Sequence, residues 1–419
     1  MLKSDLYSFL DSAISVYHTS SRIREYLLSN GFCELKEDEK FSLNRGGKYF
    51  VVRNSCAVIA FTVPEKFDSF SIISSHIDSP TFKVKVNPMI KKATGCTLNV
   101  EPYGGMLVYS FFDRPSDIAG RVFVLEDGKV RERLFSFSRP VCSLVSLAIH
   151  QNRKANESLS FSMQNEVQPI LSLPGEKDDL LDAVADILKV KKDQILSYDL
   201  FLANTEKAEE WGLNREFFSS ARIDDLSSAY LSVRALSECE SGRRINIAAL
   251  FNNEEVGSSS NEGALSTFLS DTISRISSAL DISDEERLVM YSKSLVISSD
   301  NAHAKHPCFE SKSDVTNTVR LNGGVVIKYS ANLKYTTDAY SAACIKALMI
   351  DNNIKYQEFV NNSDVPGGST LGNLSLHRAG IATCDVGMPQ LAMHSSYETA
   401  GVEDIESMYR LFCAFYKKR

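Results

Sequence analysis

Residues 245–260 read INIAALFNNEEVGSSS, and this stretch decides the fold. Ile245–Leu250 is an apolar run too short for a helix, so it predicts a buried strand. Directly after it come Asn252, Asn253 and two adjacent carboxylates, Glu254 and Glu255, with no Lys or Arg within several residues on either side. A carboxylate at the mouth of a buried strand keeps its charge only if it is paired, hydrogen-bonded or bound to a metal. A Glu-Glu pair on a solvated loop is the alternative, and the rest of the chain decides between the two.

Working outward, the same arrangement recurs. In SFSIISSHIDSP the run Phe70–Ile73 predicts a strand that delivers His76 and Asp78 at its end, before Pro80. Residues two apart in an extended segment share a side, so Asp78 can orient the His76 ring, as carboxylates do behind a metal-bound imidazole. A turn capped by Asp78 is the plainer reading of that pair. Leu295–Ile297 predicts another short strand leading to Asp300, with His303 and His306 beyond it. IATCDV leads to a loop ending at His394. In ARIDDLSSAYLSVRALSE, Asp224 and Asp225 precede a helical pattern (Leu226, Tyr230, Val233, Leu236), where one of them could simply be the N-cap.

Together His76, Asp224, Glu255, Asp300 and His394 supply two imidazoles and three carboxylates, most of them near strand ends, where ligands bind in open α/β sheets. Two divalent cations would balance three carboxylates and a bridging hydroxide, leaving Glu254 free to move protons. Five unrelated surface residues have no reason to make that sum. The oxygen and imidazole donors suit zinc, manganese or cobalt.

The remaining sequence sets the frame. The chain has 419 residues, 43% hydrophobic and 24% charged, which exceeds one single-core domain and implies two. A net charge of -7 without a long basic run excludes a phosphate-backbone binder, so nucleic acid is not an expected partner. No run is long and apolar enough to predict a membrane span, and nine cysteines without a Cys-x-x-Cys pair fit reduced thiols, so a cytoplasmic protein is expected. Helical spacing covers Leu6–Tyr17 and about Ser21–Leu28, before Gly31. From Thr81 to about Arg222 the character is β-rich, with turn signals at Gly104-Gly105 and Asp127-Gly128, interrupted by an amphipathic helix over Lys177–Lys192. Trp211 is read as packing. The fold expected is α/β: a catalytic α/β/α domain with a mixed sheet, residues 1–80 and 222–419, interrupted by a smaller β-rich domain, residues 81–221.

The series SSHIDSP, YGGMLVYSFFDRPSDIAGRV, SLAIH, ARIDD, FNNEEVGSSS, SSDNAHAKHP, VIKYSANLKY, PGGSTLG and QLAMHS, in order over nearly the whole chain, resembles the aspartyl aminopeptidase family of cocatalytic zinc metallopeptidases. The resemblance implies an inserted domain used for dimerisation and a large homo-oligomer, a dodecamer built from dimers. It makes Asp224 the ligand bridging two divalent ions, most simply zinc, with His76 and Asp300 completing one and Glu255 and His394 the other. Glu254 becomes the general base of a metal-bridging hydroxide that removes N-terminal residues from peptides with a free N-terminus. By the same resemblance Lys328 faces an acidic substrate side chain, giving a preference for Asp or Glu, and Tyr335 lines the same pocket. His150 matches a histidine that reaches an active site across a subunit contact.

His303 and His306 are expected to be structural, and Gly367, Gly368 and Ser369 to let backbone approach the site. Two departures from the family pattern stand out: Asp225 follows Asp224 where Asn is usual, and Asn252-Asn253 precede the glutamates. In related enzymes the peptide after the bridging Asp is cis. Alternatives are an aminopeptidase of neutral preference and an N-acyl amino acid deacylase on a similar site, the latter recognising a blocked rather than a free amine. A non-catalytic assembly protein would have lost ligands, and a metal-binding regulatory module would not need Glu254.

Overall fold

The computed structural model describes residues 1–175, 179–365, 367–368 and 380–418. Nine strands form one mixed sheet in the order Cys33–Leu35, Lys48–Arg53, Ala57–Thr62, Arg244–Phe251, Ser69–His76, Leu295–Ser299, Ala382–Gly387, Val325–Tyr329 and Tyr356–Val360. The four from Arg244–Phe251 to Ala382–Gly387 are parallel, and antiparallel pairs flank them on both sides. Their register sets His76 opposite Phe251 and Ser74 opposite Ser298. All four chains therefore leave the sheet at one edge, which carries His76, the Glu254–Glu255 turn and Asp300 together.

Side chains alternate across a strand, so a parallel sheet buried on both faces needs apolar residues at nearly every position. Ala248, Leu250, Ile73 and Ile297 pack on one face beneath the helices Leu2–Ser12, Ile223–Glu238 and Asp404–Tyr416. Ile247, Ala249, Phe251, Ile72 and Val296 pack on the other, beneath Phe268–Ala279 and Asp284–Lys293. The mixed α/β fold expected from the strand runs is the one found.

The first two helices run Leu2–Ser12 and Val16–Ser29, so the break lies earlier than the apolar spacing over Leu6–Tyr17 indicates. Ser15 is the reason: it takes the extended conformation of an N-cap and its hydroxyl accepts from the His18 amide. The amphipathic helix is Leu180–Leu188, shorter than Lys177–Lys192 because Asp179 caps it and Lys189 turns left-handed.

Residues 81–204 build a second sheet of six strands, Lys129–Ser136, Ser116–Glu126, Ile195–Asn204, Thr81–Lys92, Gly95–Tyr103 and Ile170–Ser172, around a core of its own that includes Phe82, Leu98, Val122 and Leu200. Asp127 and Gly128, both with positive φ, close a two-residue hairpin as their sequence suggests. Gly104-Gly105 does not: the strands Thr81–Lys92 and Gly95–Tyr103 are joined at Ala93 and Thr94, and the two glycines lead into the site. Glu209–Trp211 and Phe217–Ser220, grouped with the β-rich region on sequence, join a third sheet with Glu398–Gly401, Pro389–Leu391 and Ala302–His303. Trp211 packs at a tilt against Phe217 and donates its indole N–H to Ser219.

Candidate metal centre

The strand ends bring the candidate residues together as the register requires. His76 is buried at the end of its strand, with Nδ1 3.1 Å from the Asp78 carbonyl and Nε2 3.5 Å from Asp224 Oδ1. The other oxygen of Asp224 lies 3.6 Å from His394 Nε2, and that nitrogen is 3.4 Å from Glu255 Oε2. One carboxylate thus spans two imidazoles. Among the described residues three overlapping groups have donor atoms within 4.8 Å of one another: His76, Asp224 and Asp300; Asp224, Glu255 and His394; and His76, Glu254 and Glu255.

These side chains are held from behind. Asp78 accepts from the Glu254 amide through Oδ1 and from the Glu255 amide through Oδ2, both at 3.2 Å, and from the Tyr103 hydroxyl at 2.7 Å. It therefore aims the His76 ring and both glutamates. Asp224 sits where the chain enters the helix Ile223–Glu238; its amide donates to Glu398 Oε2, and the Asp224–Asp225 peptide is cis. His394, at φ 66°, donates its amide to the other Glu398 oxygen, and its Nδ1 is 2.6 Å from the Gly105 carbonyl. Asp300 is reached closely by backbone: a Cβ on Gly387 would lie 2.1 Å from its carbonyl. Lys328 is buried and donates to the Asp300 and Asn301 carbonyls, with the Asp300 carboxylate 3.9 Å away.

The electrostatics follow from crowding carboxylates away from water. Burial pushes Glu254 up to about 8, with nearby carboxylates adding to the effect and His76 opposing it. Burial raises Asp300 to about 6 against the pull of Lys328, and raises Glu255 and Asp225 well above the carboxylate range. Asp224 alone runs the other way: burial opposes its charge, but His76, His394 and Lys328 hold it low. Among the described residues Asp224 Oδ1 and Glu255 Oε1 are buried without a hydrogen-bond partner. Buried acceptors without donors, in a set of imidazoles and carboxylates, fit divalent cations, which would restore the charge balance.

A cavity of about 290 Å³ opens onto this cluster, lined also by His303, Lys328, Tyr335, Gly368 and Met393. Tyr335 is buried, with its ring centroid 5.1 Å from Lys328 Nζ. His306 packs against Phe309 outside the cavity lining, and His150 lies exposed on the six-stranded sheet's loop, away from it. Gly367 lies beside Asn361, and Ser369 falls outside the described residues. Sequence reasoning missed Tyr103, Gly105 and Glu398. Tyr103 and Gly105 sit in a stretch whose glycines signal a turn, and Glu398 follows His394 without any local mark of burial.

The model of the aminopeptidase I zinc metalloprotease family (M18) matches residues 9–416. The chain belongs to the M18 family. A probable M18 family aminopeptidase 2 of Clostridium novyi is 38% identical over 423 residues, covering 99% of this chain and 98% of that one. Among solved structures, the Ape4 protein of an Ape4–Nbr1 complex superposes with a TM-score of 0.95 at 34% identity, covering 99% of this chain and 85% of that one. The mApe1 dodecamer of S. cerevisiae shares the fold at 24% identity and TM-score 0.86, covering 99% and 96%. The M18 protein is a metal-dependent aminopeptidase of a zinc metalloprotease family, a hydrolase. Among the described residues no helix is long and apolar enough to cross a membrane.

Proposed function

We propose that this M18 aminopeptidase holds two divalent cations, most simply zinc, and removes Asp or Glu from the N-terminus of peptides. The observation that carries the reading is the Asp224 carboxylate, with one oxygen toward His76 and the other toward His394. In this reading Asp224 bridges, His76 and Asp300 complete one site, and Glu255 and His394 complete the other. Two bound cations supply Lewis acidity toward the scissile carbonyl, acidify the attacking water and anchor the free α-amine.

The chain's own residues do the rest. Glu254 lines the same cavity, where its carboxylate can take a proton from water and return it to the leaving amine. Asp78 fixes the Glu254 amide and the His76 ring. Among the described residues Lys328 donates to the Asp300 and Asn301 carbonyls and to no third acceptor, so one N–H would remain for an acidic side chain in the cavity beside Tyr335. A neutral side chain would leave that ammonium desolvated, which gives the acidic preference.

In the same reading residues 1–80 and 222–419 form the catalytic domain and residues 81–221 the subunit-contact domain of a homo-oligomer, with a dodecamer of dimers as its form. Val145, Leu147 and Ile149 are 55%, 60% and 47% exposed, a row of apolar residues directly before His150. Covering that row with a second copy would place His150 at the contact. A cytoplasmic site of action fits the reduced-thiol composition.

The test is turnover of free and N-acetylated Asp, Glu, Leu and Lys amides by chelated enzyme, repeated with zinc, manganese or cobalt. Metal-dependent cleavage confined to the free acidic amides is the expected result. Cleavage of free Leu or Lys amides at equal rates rejects the Lys328 pocket, and cleavage of acetylated substrates alone makes the protein a deacylase.

A further inference from the structure

The metal centre has a wall that belongs to neither its strands nor its ligands. Tyr103, the last residue of the strand Gly95–Tyr103 in the six-stranded sheet, donates its hydroxyl to Asp78 and accepts at 2.8 Å from the Asn253 amide group. Two residues on, the Gly105 carbonyl lies against His394 Nδ1, and the Leu107 amide donates to the His394 carbonyl at 2.9 Å. Gly104, at φ 79°, lies so close that a Cβ there would be 3.1 Å from Glu255 Cβ and 3.4 Å from Pro80 Cβ. Tyr103, Gly104, Gly105 and Leu107 of this sheet therefore touch the residues that carry or aim His76, Glu254, Glu255 and His394.

We propose that the segment Tyr103–Leu107 is the positioning element of the metal centre, with Tyr103 the residue that fixes Asp78. The insertion then sets metal affinity as well as shape. The physical ground is the saturation of Asp78: it receives two amides and one hydroxyl, and only while the hydroxyl holds it does the carboxylate stay aligned with both glutamate amides and the His76 ring. Partners of this kind behind a metal ligand typically change affinity by about 10- to 100-fold when removed. The inference rests on the two-cation reading above and deepens it.

Tyr103→Phe keeps the ring and its edge contact with Phe201, at 5.7 Å between centroids, and removes only the hydroxyl. Gly104→Ala tests the same wall by pressing on Glu255. Zinc affinity measured by competition with a chromophoric chelator should fall about 10- to 100-fold in Tyr103→Phe, with kcat recovering when zinc is raised to saturation. In metal-free protein, amide exchange over residues 252–256 should quicken in both variants while the thermal midpoint stays within a few degrees of the parent.

Parent-like zinc affinity and exchange in both variants would overturn the proposal. A parent protein that binds no zinc would instead reject the two-cation reading, and the exchange comparison still decides whether Tyr103 holds Asp78.

Discussion

Glu254 is the least restrained acid of its cluster: its amide is fixed by Asp78, while among the described residues no donor reaches its carboxylate. An acid held in place by its backbone but open at its tip is free to exchange a proton. Glu254→Gln keeps size and position and removes that exchange. It should lower kcat by about 10²- to 10⁴-fold with zinc binding within a few-fold of the parent, as measured by steady-state kinetics beside a metal titration. Loss of metal with loss of rate would make Glu254 a ligand instead.

His18 makes a different point at the same scale. Burial lowers its proton affinity to about 4 from the usual 6.5, helped by the charges of Arg22 and Arg222. A histidine with a depressed folded-state value favours folding most above pH 6.5, and that contribution is lost as pH falls through 4. The parent should lose on the order of 2 kcal/mol over this range from His18, a figure reduced for its partial exposure. Denaturant titrations of His18→Gln at pH 7 and pH 4 should show a correspondingly smaller loss than the parent.

At the scale of the element, the central strand Arg244–Phe251 carries the sheet. Ile247 is fully buried, between Phe61 on one neighbour and Ile72 on the other. Ile247→Ala removes apolar contact and leaves a cavity, at a cost of about 2–5 kcal/mol, visible as a lower denaturant midpoint with an unchanged slope. Such strands were legible in the sequence because a short apolar run bounded by polar residues has few other readings. The clustering of the residues at their ends was legible for the same reason, since His76, Glu255 and Asp300 each follow such a run.

What was not legible is long-range. Ser15 shifts the helix break through a single hydroxyl, Glu209–Trp211 joins a sheet completed by residues near 400, and Tyr103-Gly104-Gly105 reads locally as a turn. Local pattern reports how a segment folds, whereas the partner of Tyr103 is set by how two sheets meet. Lys328 shows the same gap: on an apparently ordinary strand it is fully enclosed, with its ammonium bound to carbonyls of the Asp300 loop.

For the whole molecule, a cluster of buried acids means that stability and metal loading are linked. A ligand that binds only the folded form adds stability as its concentration rises above its dissociation constant, about 2.7 kcal/mol at a hundredfold excess. Treatment with a chelator should therefore lower Tm, and added zinc should restore it along with activity, in scans made at fixed protein concentration. A Tm indifferent to both would separate the acids from any bound cation.

The residues that meet at the candidate metal centre are spread from His76 to His394, and the strands Ser69–His76 and Arg244–Phe251, neighbours in the nine-stranded sheet, are separated in sequence by the whole six-stranded sheet. During synthesis at roughly 5–20 residues per second, His76 leaves the ribosome tens of seconds before His394 is made. The first strands must wait for their neighbour, and the six-stranded sheet has time to fold in the interval. A growing chain therefore has no complete cluster until residue 394 has been made, and every earlier stage of its synthesis is catalytically silent.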